Sequence, residues 1–279
     1  MTAERLAALR GLLAEAAPVV VAFSGGVDSS LLAWVANDEV GPRRAHAVTA
    51  VSPSLAANER DGARRLAGSW GLHHSEVETD EMQRAAYRLN DADRCAHCKD
   101  ALMDALAPMA RAKQATVILG VNLDDLGDHR PGIAAARRRG ARFPLVEAGF
   151  TKEAVRAAAR WLGLEVWDKP AAPCLASRLP YGTPVSAPVL RTVGRAEEAL
   201  AGLGYEELRV RHYDELARIE VPPDRLADVV ADRAAVVAAV QAAGYRYVTL
   251  DLEGLRSGNL NAVLADVATA AAPDAGAAG

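Results

Sequence analysis

The apolar residues in the first two-thirds of the chain recur with two different periods. Short runs at residues 19–23, 45–51 and 116–120, and a weaker extended piece at 74–79, have the length and β-branched content of buried strands. Between them, residues 4–16, 29–37, 57–70, 99–112 and 152–162 carry apolar side chains at the three- and four-residue spacing of helices. Residues 165–168 read as one more extended piece. This alternation predicts an α/β domain on a parallel sheet covered on both faces. Ligands of such sheets collect at the carboxyl ends of the strands. The loop starting at Ser24, the pair Ser52-Pro53 and Gly120-Val121-Asn122 all fall at such ends.

The pattern changes at Lys169, where Pro170, Pro173, Pro180, Pro184 and Pro188 punctuate a stretch with little periodicity. A loop this long inside a compact protein is usually functional or a linker. Beyond it the sequence predicts a helix over 193–203, strand-like pieces at 207–212 and 217–221, a helix over 224–243 and a last strand at 247–252. The expected organisation is an α/β domain over 1–168, a cysteine-bearing loop over 169–188 and a small α+β domain over 189–262. Residues 263–279 form a tail rich in Ala, Gly and Pro, expected to be disordered.

Composition narrows the picture modestly. At 279 residues, 51% hydrophobic and 24% charged, the chain is ordinary globular material for two domains. A net charge of −4 provides no global basic field, so a nucleic-acid partner is not expected. The three cysteines are an odd number, and neither a signal peptide nor a long apolar span is visible, so the expectation is a cytoplasmic protein with reduced thiols and no membrane contact. Only Lys99, Lys113, Lys152 and Lys169 among the 32 basic residues are lysines.

The first strand runs directly into Ser24-Gly25-Gly26-Val27-Asp28-Ser29-Ser30. Paired glycines allow positive φ and a close ligand approach. The N–H groups at the start of the following helix favour anions. Gly25, Gly26 and Ser29 are therefore candidate phosphate ligands, and the string fits neither the lysine-bearing P-loop nor G-x-G-x-x-G. It resembles the pyrophosphate loop (PP-loop) of enzymes that split ATP into AMP and pyrophosphate. The competing reading is an ordinary tight turn.

Two cysteine signals follow. Asp93-Arg94-Cys95-Ala96-His97-Cys98-Lys99 opens a helix, whose start lowers thiol pKa. Its C-x-x-C reads as a metal half-site, a redox pair or packing, and an all-cysteine zinc site is impossible with one other cysteine in the chain. That third cysteine, Cys174, sits on the proline-stiffened loop with Lys169 and Arg178 nearby in sequence, cations that would stabilise a thiolate. The alternative is a small buried hydrophobe.

Several strings together resemble the LarE family of ATP-dependent sulfur transferases. They are the PP-loop, residues 93–99, residues 120–132, Pro144-Leu145-Val146-Glu147-Ala148-Gly149, the Cys174 loop, residues 208–212 and residues 217–221. The resemblance covers residues 5–260 and implies the following chemistry. ATP with Mg2+ adenylates pyridinium-3,5-biscarboxylate mononucleotide, and a cysteine delivers sulfur to give a thiocarboxylate for the nickel-pincer cofactor of lactate racemase. It implies ATP contacts from Ser24, Gly25, Gly26, Asp28, Ser29, Gly120, Asn122 and Asp125, with Asp28 and Asp124 or Asp125 as oxygen ligands for Mg2+. Cys174 would be the nucleophile and sulfur source. Arg209 and Arg211, two apart on one strand face, would grip the substrate phosphate. Glu197 (or Glu198), Glu220 and Asp228 would lie around a C-terminal metal site, the alternative for these charges being a solvated face.

The resemblance leaves the sulfur source open. Members with only the loop cysteine sacrifice it, whereas Cys95, Cys98 and Cys174 together would match members holding a [4Fe–4S] cluster. It also implies a homo-oligomer, such as a hexamer. Other functions compatible with the loop are tRNA thiolation, an amidotransferase-type synthetase and a sensor that binds ATP without turnover.

Overall fold

The computed structural model describes residues 2–127 and 131–256. Asp128, His129 and Arg130 of the string quoted above lie outside the described residues, as do residues 257–262 and the 263–279 tail. The described chain divides into two compact units. One comprises residues up to Cys174 together with Pro184–Ala187, and the other Leu175–Thr183 with the chain from Pro188 onward.

In chain order the first unit contains α1 (Thr2–Ala16), β1 (Val19–Ala22), α2 (Val27–Val40), β2 (Ala45–Val51), α3 (Ala57–Ser69), β3 (His73–Glu78) and α4 (Ala85–Arg88). It continues with α5 (Arg94–Lys113), β4 (Thr116–Leu119), α6 (Pro131–Arg138), α7 (Pro144–Glu147) and α8 (Lys152–Trp161). The four strands form a parallel sheet in the order β3-β2-β1-β4. Central β1 has neighbours on both edges, and its three valines are almost completely buried. Val19 and Val21 pack with Leu31, Leu32 and Val35 of α2, and with Val155 and Ala158 of α8. Val20 points the other way, toward Leu102 and Leu106 of α5. A strand buried on both faces must be continuously apolar. Each such side chain contributes about 1.5–3 kcal/mol on burial.

The second unit holds α9 (Ala187–Ala201), β5 (Arg209–Tyr213), β6 (Leu216–Glu220), α10 (Leu226–Ala231), α11 (Arg233–Ala243) and β7 (Tyr247–Leu250). Its sheet runs β5-β6-β7, antiparallel then parallel. α9 buries Leu190, Val193, Ala196 and Leu200, a stripe at helical spacing.

Three local expectations change. Residues 165–168 form turns, not an extended piece. The helix expected over 224–243 is broken at Asp232, whose carboxylate accepts a hydrogen bond from Tyr205 Oη at 2.8 Å. The unassigned stretch after residue 130 forms α6, which starts on Pro131, the residue type suited to a helix's first position.

Candidate active site

The PP-loop leaves β1 and enters α2 within four residues. Gly25 has φ +74°, and a Cβ there would lie 3.2 Å from the Ala63 backbone, so the position demands glycine twice over. Gly26 is the N-cap of α2 and supplies no side-chain cap, which leaves the first-turn N–H groups without a capping acceptor. Ser29 shapes the loop from inside. Its Oγ donates to Gly26 O at 3.1 Å and accepts from Ser24 N at 3.2 Å, with Ser24 Oγ 3.1 Å away. Gly120, just past β4, abuts the same turn: a Cβ would sit 2.7 Å from Ser29 N and 2.8 Å from Asp28 C. Its absent side chain lets β4 and the helix start approach closely.

Charges surround this turn. Asp28 Oδ1 accepts from Asn122 Nδ2 at 3.0 Å, and Oδ2 accepts from Lys152 Nζ at 2.5 Å. Buried Asn122 closes an Asx-type turn, its Oδ1 accepting from Asp124 N and Asp125 N at 3.0 and 3.3 Å. Asp125 Oδ2 accepts in return from Asn122 N at 3.1 Å. Asp124 Oδ2 takes the N–H of Lys152 at 2.7 Å, fixing the start of α8. On the other side of the loop Lys169 Nζ donates to Gly25 O at 3.1 Å and Glu59 Oε2 at 2.8 Å. The candidate ATP residues of this unit are thus brought together, and a cation already rests on Asp28. Hard carboxylate oxygens of this kind fit Mg2+, which is typically bound by one or two carboxylates plus substrate phosphates.

Sequence reasoning missed Lys152 and Glu59, and placed Lys169 beside Cys174 rather than on the PP-loop. The available signal was scarcity: in a chain that uses arginine almost everywhere, two of four lysines are at this loop. A compact ammonium fits where a planar fork would not.

Cys95 and Cys98 sit in the first turn of α5, where α6 packs so tightly that a Cβ on Gly132 would lie 2.9 Å from Cys95 O. Cys95 and Cys174 are exposed, Cys98 is half-buried, and no disulfide joins them. Burial pushes the Cys98 thiol up to about 12; Lys99 opposes this, while Cys174, Glu81 and Cys95 add to it. Burial of Cys98 thus works against the lowered pKa expected at a helix start. Cys95, Cys98 and Cys174 all belong to the first unit. Soft thiolate donors fit an iron–sulfur cluster in chemistry. Among the described residues no three His, Cys, Asp or Glu side chains are placed to hold a single metal ion.

In the second unit the acidic residues meet arginines. Glu197 receives both Arg178 Nε and Nη2, at 2.8 and 3.0 Å, and accepts from Val210 N at 2.9 Å. Glu220, fully buried, accepts from Arg211 Nη2 at 2.8 Å and Arg218 Nη2 at 3.1 Å. Asp228 pairs with Arg225 at 2.7 Å. The expected trio Glu197, Glu220 and Asp228 does not form a cation site in this arrangement, since each carboxylate is already answered by a guanidinium. Arg211 is committed to Glu220 and to Ser177 O at 2.8 Å. Arg209 donates to Arg256 O at 3.3 Å, and among the described residues no carboxylate pairs with it. Burial, then Arg211 and Arg178, hold its pKa below the usual arginine value. Of the two expected phosphate ligands, Arg209 is the one with positive charge to spare.

The strand, glycine loop and helix on a parallel sheet define a nucleotide-binding α/β domain of PP-loop type. The asparagine synthase family model matches residues 6–120. A solved NMN synthetase from Francisella tularensis shares the fold, with a TM-score of 0.50 and 19% identity over 62% of this chain and 76% of its own. Over nearly its whole length the chain is 37% identical to pyridinium-3,5-bisthiocarboxylic acid mononucleotide synthase of Lactiplantibacillus plantarum, covering 94% of this chain and 95% of that protein. The chain therefore belongs to the LarE family. An uncharacterised Synechocystis protein is 47% identical, over 95% of this chain and 99% of its own. Among the described residues no helix is long and apolar enough to cross a membrane.

Proposed function

We propose that the protein is an ATP-dependent sulfur transferase that adenylates the carboxylates of pyridinium-3,5-biscarboxylate mononucleotide and converts them to thiocarboxylates for a nickel-pincer cofactor. The observation that carries this reading is the presence, in one compact unit, of a PP-loop flanked by two lysines and of all three free cysteines of the chain. The full-length similarity to the named synthase supports the same substrate.

The residues suit the steps. Backbone N–H groups of the Ser24–Ser29 loop receive the phosphates. Lys152 and Lys169 offset charge as pyrophosphate leaves. Asp28, with Asp124 or Asp125, would hold Mg2+, which adds further neutralisation of that charge. The Cys174 thiolate attacks the adenylated carbonyl, forming a carbon–sulfur bond and expelling AMP. In the sacrificial form, loss of the cysteine α-proton and cleavage of its Cβ–S bond leave a thiocarboxylate on the substrate and dehydroalanine on the protein. A [4Fe–4S] cluster held by Cys95, Cys98 and Cys174 would instead supply a transferable sulfide. Arg209 binds the substrate phosphate.

The test is ATP cleavage to AMP and pyrophosphate in the presence of the pyridinium nucleotide or of unfractionated tRNA. Stimulation by the nucleotide supports the reading; stimulation by tRNA alone refutes it. Intact mass after turnover separates the two sulfur sources, because only sacrifice removes the elements of hydrogen sulfide from Cys174.

A further inference from the structure

Glu59 stands beside the PP-loop and has no part in the chemistry above. It lies in the first turn of α3, and its carboxylate accepts from Lys169 Nζ at 2.8 Å. The same ammonium donates to Gly25 O at 3.1 Å. Both side chains are largely shielded, Lys169 at 23% and Glu59 at 19% exposed. Lys169 also rises from a fixed backbone. Arg156 of α8 donates from Nη1 to Trp167 O and from Nη2 to Lys169 O, each at 2.9 Å.

The carbonyl that Lys169 holds belongs to the peptide joining Gly25 to Gly26. In a trans peptide the C=O and N–H point in opposite directions, so an ammonium on the oxygen turns the Gly26 N–H away from Lys169. That N–H meets Ser24 Oγ at 3.4 Å, a long contact that a phosphate oxygen would improve on. A peptide between two glycines has little steric preference, and Gly25 already adopts φ +74°. Its orientation therefore has to be fixed by a tertiary contact. Lysine alone is a loose anchor, because its four-carbon stem has many rotamers. A carboxylate 2.8 Å from Nζ selects the rotamer that reaches Gly25.

We propose that Glu59 and Lys169 act as a positioning pair that locks the Gly25–Gly26 peptide with its N–H turned toward the phosphates of ATP that leave as pyrophosphate. Glu59 touches no substrate and acts through Lys169 alone. The cation also polarises the carbonyl, which strengthens the N–H of the same peptide as a donor. The inference rests on the ATP-cleaving half of the reading above and is independent of the sulfur source.

Glu59→Gln, Lys169→Met and the double variant, made in the full chain, test it by calorimetric binding of ATP and of AMP with Mg2+ present. Glu59→Gln should weaken ATP about 10-fold, and Lys169→Met at least as much. AMP, which lacks the departing phosphates, should bind as to wild type, and thermal midpoints should stay close to wild type. The double variant should bind ATP no more weakly than Lys169→Met, because both changes release the same peptide. Wild-type ATP affinity in Glu59→Gln would overturn the inference. So would equal losses for ATP and AMP, or losses that add in the double variant. Wild-type protein that binds no ATP defeats the ATP-cleaving reading itself, and that result needs no variant.

Discussion

Lys152 Nζ lies 2.5 Å from Asp28 Oδ2, joining the start of α8 to the first turn of α2. The pair is partly exposed, so it stabilises the fold by about 1 kcal/mol at most. Its larger value is positional, since it keeps an ammonium beside the phosphate loop. Lys152→Met should shift the urea midpoint little, yet lower kcat/KM for ATP about 10- to 100-fold, the worth of one charge-assisted contact. A fall in stability that matches the fall in activity would assign the lysine to the fold alone.

Gly120 is the tightest backbone contact at the site. A methyl group there meets Ser29 N and Asp28 C inside van der Waals distance. Gly120→Ala should cost about 1–3 kcal/mol in equilibrium unfolding and raise KM for ATP, because the strain falls on the loop-bearing turn.

A pH dependence is built into the sheet at a different place. His46 of β2 is buried, stacked on His73 at 3.9 Å between ring centroids, with Ser75 Oγ 2.9 Å from Nε2. Burial first, then His73, Lys113 and His74, lower its pKa to about 4 from the usual 6.5. Between those values the unfolded chain binds a proton that the folded chain refuses, so stability is full above pH 6.5 and declines as pH falls toward 4. His46→Gln should flatten part of that decline in unfolding titrations across this window. The decline will not vanish, because burial also lowers the pKa of His74 and His212.

The buried Glu220 carboxylate anchors the second unit. Removing it strands Arg211 in the interior, so Glu220→Gln should destabilise by about 3–5 kcal/mol. Arg218→Ala, on the more exposed side of the same carboxylate, should cost about 1 kcal/mol or less. Comparable losses from the two variants would contradict the assignment of Glu220–Arg211 as the central pair.

The sheet and PP-loop were legible because their signals are local. Continuous apolar runs mark strands buried on two faces, and Gly25-Gly26 can be read as a turn without knowing its neighbours. The break at Asp232 was not legible, and the hydroxyl that engages the Asp232 side chain belongs to Tyr205, 27 residues away. The same holds for the acidic residues of the second unit. The resemblance sets Glu197 and Glu220 around a metal, but Arg178 and Arg211 reach them only after folding. Lys152 escaped notice because it lies 124 residues from Asp28. Desolvation of Cys98 likewise depends on packing that a helix-start rule does not see.

The central claim is that the PP-loop and Cys174 perform separate half-reactions. Measuring pyrophosphate and thiocarboxylate in one incubation of Cys174→Ala with ATP and the pyridinium nucleotide tests it most directly. The account predicts substrate-dependent pyrophosphate release with no thiocarboxylate. Thiocarboxylate formed without Cys174, or loss of pyrophosphate release along with it, would contradict the account.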